Sequence, residues 1–321
     1  MVYHLDLIAN VSTHLQTSVM KSNASNVGEM EDFLMNVEFQ WIDEMKRSIA
    51  LVNWTYIPCF VIVMLGLLGN LLTICKIVLD KSLHTPTYTA IGFLAFSDIM
   101  SLIFSALSWF TNIRTYLIAT HYHDQTFLNT QDMFYILELM VYHVSLCQII
   151  LLVVLRFGLT VNPIECKIHA STSLILIAST AIWIYNACVW FTFRVVFKTL
   201  VRQNRNQFLK WAAIVEVTVR CLAMLVTLSI MAILHYLKMR AIKTSSVKCN
   251  VKRRMNQIVA IIVVILAFYG ISYLLATIVM FVSDRTVTAY FSTFHQIIGF
   301  VHFSSNPFVY FIFAFVCKKK S

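Results

Sequence analysis

The sequence predicts an all-α fold: a seven-transmembrane helix bundle with the N-terminus outside and the C-terminus inside. Three observations predict it. Of 321 residues, 59% are apolar and only 12% are Asp, Glu, Lys or Arg, about half the charge content of a soluble globular chain. The apolar residues gather into seven runs, approximately 54–79, 87–110, 132–155, 172–193, 211–237, 257–282 and 289–315. Each is long enough to cross a bilayer, and hydrocarbon offers no partner to free backbone groups, so the runs must be helices. The charges between the runs are also sorted by sign. Seven acids and three bases precede Trp54, whereas Lys238–Arg254 carries seven bases and no acid. Basic segments stay cytoplasmic during insertion, and an odd number of spans then puts the two termini on opposite sides. This composition excludes disorder, collagen, coiled coil and an ordinary cytosolic enzyme. The net charge of +10 is no argument for nucleic acid, because the bases lie between apolar runs.

Residues 1–53 form the expected extracellular, glycosylated tail. Asn10-Val11-Ser12 and Asn23-Ala24-Ser25 are acceptor sequons for glycosylation, which need an extracellular location. Asp6, Asn10 and His14 interrupt any signal-peptide core, so the first span is expected to act as the signal anchor. Within 30–49, Phe33, Val37, Trp41 and Met45 recur every four residues among acids. An amphipathic helix at the membrane surface and a partly ordered tail both fit that pattern. Residues 54–317 make the seven-transmembrane domain and 318–321 a short basic cytoplasmic tail. Among the outer connections, 194–210 reads as a basic loop carrying Arg194, Lys198, Arg202, Arg205 and Lys210. No internal repeat is evident, which weighs against an inverted-repeat transporter.

Charged and amide side chains inside spans are costly and usually functional. Asn70 lies midway along the first run and Asp98 midway along the second, both expected to face the bundle interior. Glu138 and Arg156 stand 18 residues apart on the third run, about 27 Å along a helix, so they serve opposite ends. Glu216 and Arg220 have the i, i+4 spacing of an intrahelical ion pair, which reads as structural. The cysteines show no paired spacing for a metal. Cys317, beside Lys318-Lys319-Lys320, is a candidate for palmitoylation against the membrane.

At this point the chain resembles the rhodopsin-like (class A) G-protein-coupled receptors. The residues that carry the resemblance are Gly69-Asn70, Leu83-His84-Thr85-Pro86-Thr87-Tyr88, Leu94-Ala95-Phe96-Ser97-Asp98, Leu155-Arg156-Phe157 with Pro163 seven residues on, Trp183, and the complete NPxxY of Asn306-Pro307-Phe308-Val309-Tyr310. They occur in family order across about residues 54–317. It looks like a divergent member, similar to invertebrate orphan or peptide-receptor-like receptors.

The resemblance implies a plasma-membrane receptor that binds an extracellular ligand, a peptide or a small amine or metabolite, and activates a heterotrimeric G protein. It implies a ligand region at Glu138, with Gln131, Tyr142, Tyr269 and Tyr273. Glu138 stands where amine-binding members carry an acid. It implies a buried polar network or sodium site of Asn70, Asp98, Ser145, His302 and Asn306, and an activation and coupling set of Arg156, Pro163, Pro307 and Tyr310. No other cofactor is implied, and no protein metal site. Membrane lipid and the G protein are the remaining partners.

The departures matter equally. His302 stands where the sodium site often has asparagine. Leu155 replaces the acid usual before Arg156, so the resting state is expected to be weakly held, or held by other contacts. Gln131 occupies the family's helix-three disulfide position, and 194–210 has no cysteine, so that staple is missing. Phe268-Tyr269-Gly270 falls near the expected CWxP, with Tyr269 or Phe268 as the candidate toggle. The Schiff-base lysine of opsins would fall at Phe300, which disfavours a light sensor. The alternative function is a polytopic transporter or ligand-gated channel not coupled to G proteins. A membrane enzyme is disfavoured, since His121-Tyr122-His123 is the only close histidine pair.

Overall fold

A computed structural model describes residues 55–118, 125–203, 205–244, 249–282 and 285–318. Asn10, Asn23 and the 30–49 segment lie outside the described residues, as do the side chains of Gln131, Glu216, Tyr310 and Cys317. Seven long helices are described: α1 Thr55–Leu79, α2 Pro86–Ile118, α3 Gln125–Val161, α4 Thr172–Gln203, α5 Arg205–Thr244, α6 Cys249–Val282 and α7 Arg285–Lys318. Among the described residues, α1 to α6 each contain a stretch long and apolar enough to cross a membrane. The seventh helix, α7, encloses the expected run 289–315 and carries Pro307 in its interior. Pro307 removes one backbone hydrogen bond there and leaves the helix locally deformable.

The helices outrun the apolar stretches that predict them. Residues 194–203 continue α4 and 205–210 begin α5, so the expected basic loop is mostly helix. The same holds for 238–244 and 249–254, which extend α5 and α6. The physical reason is plain: Lys and Arg are good helix formers, and no Gly or Pro stands in either segment to stop the backbone. Where a stop signal exists it acts. Asn162 precedes Pro163, and the residue before a proline avoids the helical region. Asn162 has φ −125° and ψ 72°, and Pro163 then opens a separate seven-residue helix, Pro163–His169.

The α1–α2 connection is a tight capped turn. The Asp80 carboxylate accepts from Ser82 Oγ at 2.6 Å and from Ser82 N–H at 3.0 Å, capping the short 3-10 helix Lys81–Leu83. These two Ser82 bonds, the hydroxyl first, hold the exposed Asp80 carboxyl below the usual carboxylate range.

The most extensive packing is between α2 and α3, then between α6 and α7. The α3 helix also packs against α4, α5 and the Pro163–His169 helix, which puts it at the centre. Half of the apolar stretch of α2 and of α3 is buried, against 17% in α5. The outer face of α1 (Ile57, Phe60, Met64, Leu68, Leu71) is exposed and apolar, as a lipid-facing surface must be. Its inner face is notched by glycine. A Cβ at Gly66 would collide with Ser304 and Leu102, and one at Gly69 would lie 3.1 Å from Pro307 Cβ. Ser304 Oγ donates to the Ile62 carbonyl at 3.1 Å across the same seam. Small residues of this kind let membrane helices approach closely.

Candidate functional site

The site is organised along one face of α3. Glu138, Tyr142, Ser145, Ile149, Leu152 and Arg156 follow i, i+4, i+7, i+11, i+14, i+18, spacings that stay on one side of a helix. They divide the bundle into three levels.

At the first level, Ser105 Oγ of α2 donates to Glu138 Oε1 at 3.2 Å. The Arg220 guanidinium of α5 sits over three rings, Tyr135 at 5.8 Å, Tyr142 at 5.9 Å and Tyr273 at 5.4 Å, distances at which a cation is attracted to an aromatic face. Sequence spacing alone assigns Arg220 to a structural pair with Glu216. The structure places its guanidinium against α3 and α6, in the same chamber as Glu138; the Glu216 side chain lies outside the described residues. Tyr269 is buried and lies nearly parallel to two imidazoles, His295 (5.0 Å, 13°) and His302 (5.1 Å, 8°). Gly299 lies between those histidines in sequence, where a Cβ would approach Tyr269 Cε2 to 3.2 Å, so its lack of a side chain lets the ring lie against α7. The Tyr142 ring meets Tyr269 edge-on at 5.9 Å. Ser272 Oγ donates to the Tyr269 carbonyl at 2.7 Å and lies 3.0 Å from His295 Nδ1. A serine has one proton, which assigns the other proton to His295 Nδ1. Phe268 is 53% exposed and faces outward, so Tyr269, not Phe268, is the inward ring of that tract.

At the second level, three helices meet on one carboxylate. Ser145 Oγ donates to Asp98 Oδ1 at 3.0 Å, and Asn306 Nδ2 donates to Asp98 Oδ2 at 2.7 Å. Asn70 does not join them directly. Its amide donates to the Gly66 carbonyl at 2.9 Å and to the Phe303 carbonyl at 3.1 Å, tying α1 to α7. His302 is buried and stacks on Tyr269, and neither of its ring nitrogens has a hydrogen-bond partner among the described residues. It therefore stands outside the Asp98 network. Asn70 Oδ1 and Ser101 Oγ are likewise buried and unpartnered among the described residues.

At the third level, Leu94, Ile149, Leu152, Val153 and Ile262 form an apolar layer against Arg156. Arg156 is 9% exposed, and its Nε has no partner among the described residues. Leu155 is buried in the core, so an apolar contact stands beside the arginine. Pro163 is exposed at the start of its short helix, and Pro307 packs against Gly69.

Between Gly69 and Tyr310 the polar junction, the NPxxY tract and the Arg156 layer all stand in one helical bundle. A family model described as the seven-transmembrane receptors of the rhodopsin family matches residues 69–310. The chain belongs to the rhodopsin family of seven-transmembrane receptors. It is a multi-pass membrane protein, and the family consists of receptors. No curated protein matches the chain. The match begins at the glycine of the α1 notch and ends at the tyrosine of NPxxY.

Several residues of the Glu138 chamber escape a reading of sequence: Ser105, Tyr135, His143, His295 and Gly299. His143 accompanies Tyr142, lies 4.8 Å from the Trp190 ring and is 2.8 Å by Nδ1 from the Leu139 carbonyl. One signal was present. His295, Gly299 and His302 share the i, i+4, i+7 spacing of a single helix face.

Proposed function

We propose that the protein is a plasma-membrane receptor that binds an extracellular ligand at the Glu138 end of the bundle and activates a heterotrimeric G protein at the Arg156 end. The observation that carries this reading is the continuous α3 face from Glu138 to Arg156, interrupted midway by the Asp98–Ser145–Asn306 junction. Ligand bound more tightly by one helix arrangement shifts the population toward it. The junction joins α2, α3 and α7, and α7 is deformable at Pro307, so the elements contacted by ligand are coupled to the Arg156 layer.

Glu138 supplies the anchor for a cationic group of the ligand. Arg220 places a charge of the opposite sign in the same chamber, which favours a ligand that also carries a carboxylate or carbonyl, such as a peptide terminus or an amino-acid-like amine. The donor set at Asp98 does not suit a sodium ion. Both Asp98 oxygens already accept from Ser145 and Asn306, and His302, which stands where the sodium site often has asparagine, lies outside the junction, whereas a hard cation needs several free oxygens converging on it.

The deciding experiment is a screen of peptides and amine metabolites read by G-protein dissociation sensors. A response from at least one subtype is expected, and silence of every subtype with confirmed surface expression would overturn the reading. For a cationic ligand so found, Glu138→Gln is expected to lower potency by about 10- to 100-fold, the worth of one charge-assisted hydrogen bond. Expression should be unchanged, and an unaltered dose–response curve would remove the anchoring role.

A further inference from the structure

Beneath the α3 apolar layer, two buried cations have no acid facing them among the described residues. Lys238, near the end of α5, is 4% exposed, and its ammonium has no hydrogen-bond partner among the described residues. Arg156 of α3 is 9% exposed, with Nε likewise unpartnered among the described residues. The two helices pack together, and both residues stand within two turns of their helices' C-terminal ends, close enough for the charge of Arg156 to act on Lys238. His235, one turn earlier on α5, leaves Nδ1 without a partner among the described residues as well. Buried ammonium and guanidinium groups are normally paired, and here, among the described residues, the neighbouring elements supply no acid to pair them. Asp80 is exposed and engaged by Ser82. Glu165, on the Pro163–His169 helix, is exposed and accepts from Asn162 Nδ2 at 3.1 Å. The residue before Arg156 is Leu155, and 238–254 is wholly basic among its charged residues.

We propose that Arg156 and Lys238 form a binding site for a dianionic phosphate group. The chemistry matches the pair. A guanidinium presents a fork to two phosphate oxygens while an ammonium acts as a point charge, and two adjacent cations suit a dianion better than a monovalent carboxylate. The extra bases of α5, Arg240 and Lys243, raise the local concentration of such anions. Two sources offer the same group: the headgroup of a phosphorylated inositol lipid in the adjacent leaflet, and free inorganic phosphate. Filling the site ties α3 to α5 beside the arginine that lacks its usual neighbouring acid. The assignment to the cytoplasmic leaflet rests on the orientation proposed above; binding itself does not, and is measured without ligand or G protein.

The test uses the full chain in phosphatidylcholine nanodiscs, reading the midpoint of thermal unfolding. One arm titrates inorganic phosphate against sodium acetate at matched ionic strength. The other adds a phosphorylated phosphatidylinositol, with unphosphorylated phosphatidylinositol as the diester control. A ligand that binds only the folded state raises the midpoint with dose. A rise in the first arm identifies free phosphate as the source; a rise in the second alone identifies the lipid. In Lys238→Gln the dose needed should increase by about tenfold or more, and in Lys238→Arg it should stay near that of the parent chain. Lys238→Gln removes a repelled, unpaired charge, so it is expected to fold at least as stably as the parent without phosphate. The proposal is overturned if neither arm stabilises the parent chain, if acetate or the diester does so equally, or if Lys238→Gln responds at the parent dose.

Discussion

Asp98→Ala is expected to destabilise the folded receptor by about 2–4 kcal/mol and to abolish ligand-stimulated signalling. The carboxylate is buried and accepts from Ser145 on α3 and Asn306 on α7. Truncation leaves both donors buried without a partner, and each such group costs about 1–3 kcal/mol. It also removes the carboxylate at which three helices meet. Asp98→Asn retains an acceptor oxygen for one of the two donors, so its loss should be nearer 1 kcal/mol. The check is the unfolding midpoint of the purified chain, together with surface expression in cells. An Asp98→Ala protein as stable as the parent would show that the junction does not hold the bundle.

The second large effect is expected at the α1–α7 seam. Gly66→Val should destabilise the protein by about 1–3 kcal/mol or more, because extra atoms forced into a packed seam displace backbone. Its Cβ would collide with Ser304, breaking the bond from Ser304 Oγ to the Ile62 carbonyl, and with Leu102. Gly66→Ala should cost less, since alanine recovers about 0.5–1 kcal/mol of helix propensity. Gly92 supplies the control. A Cβ there meets only Ile77 Cδ1 at 3.7 Å, an ordinary contact, so Gly92→Ala should be neutral or stabilising. The expected order of midpoints is Gly92→Ala at or above the parent, then Gly66→Ala, then Gly66→Val. If Gly66→Val matches Gly92→Ala, the two helices do not approach as closely as described.

The fold was legible because a membrane span needs only length and apolarity, both of which are local properties. Helix ends were less legible. An apolar run marks where lipid lies, whereas a helix ends where backbone chemistry stops it. Asn162-Pro163 stops α3, but nothing in 194–203 or 238–244 stops α4 or α5. The site was legible in part. Asp98, Ser145 and Asn306 could be placed together because the family resemblance implies it and a buried carboxylate requires donors. That Asn70 bonds to the backbone at Phe303 instead, and that His302 stacks on Tyr269 outside the network, depends on how α1 and α6 sit against α7.

Arg220 shows the limit most clearly. On its own helix it has an acid at i−4, and local spacing can propose only that pair. In the folded protein its guanidinium lies over tyrosines drawn from α3 and α6. Lys238 is similar: in sequence it begins a basic stretch that reads as cytoplasmic, and in the bundle it is buried within reach of the Arg156 charge. The amino-acid sequence by itself determined the seven-helix architecture, through composition and the spacing of apolar runs, pointed to the family through its motifs, and set Glu138 and Arg156 at opposite ends of α3. Only the tertiary structure decided which charges share a chamber and which are left without a counter-charge. Such pairings are set by the relative rotation of neighbouring helices, which no spacing within one helix encodes.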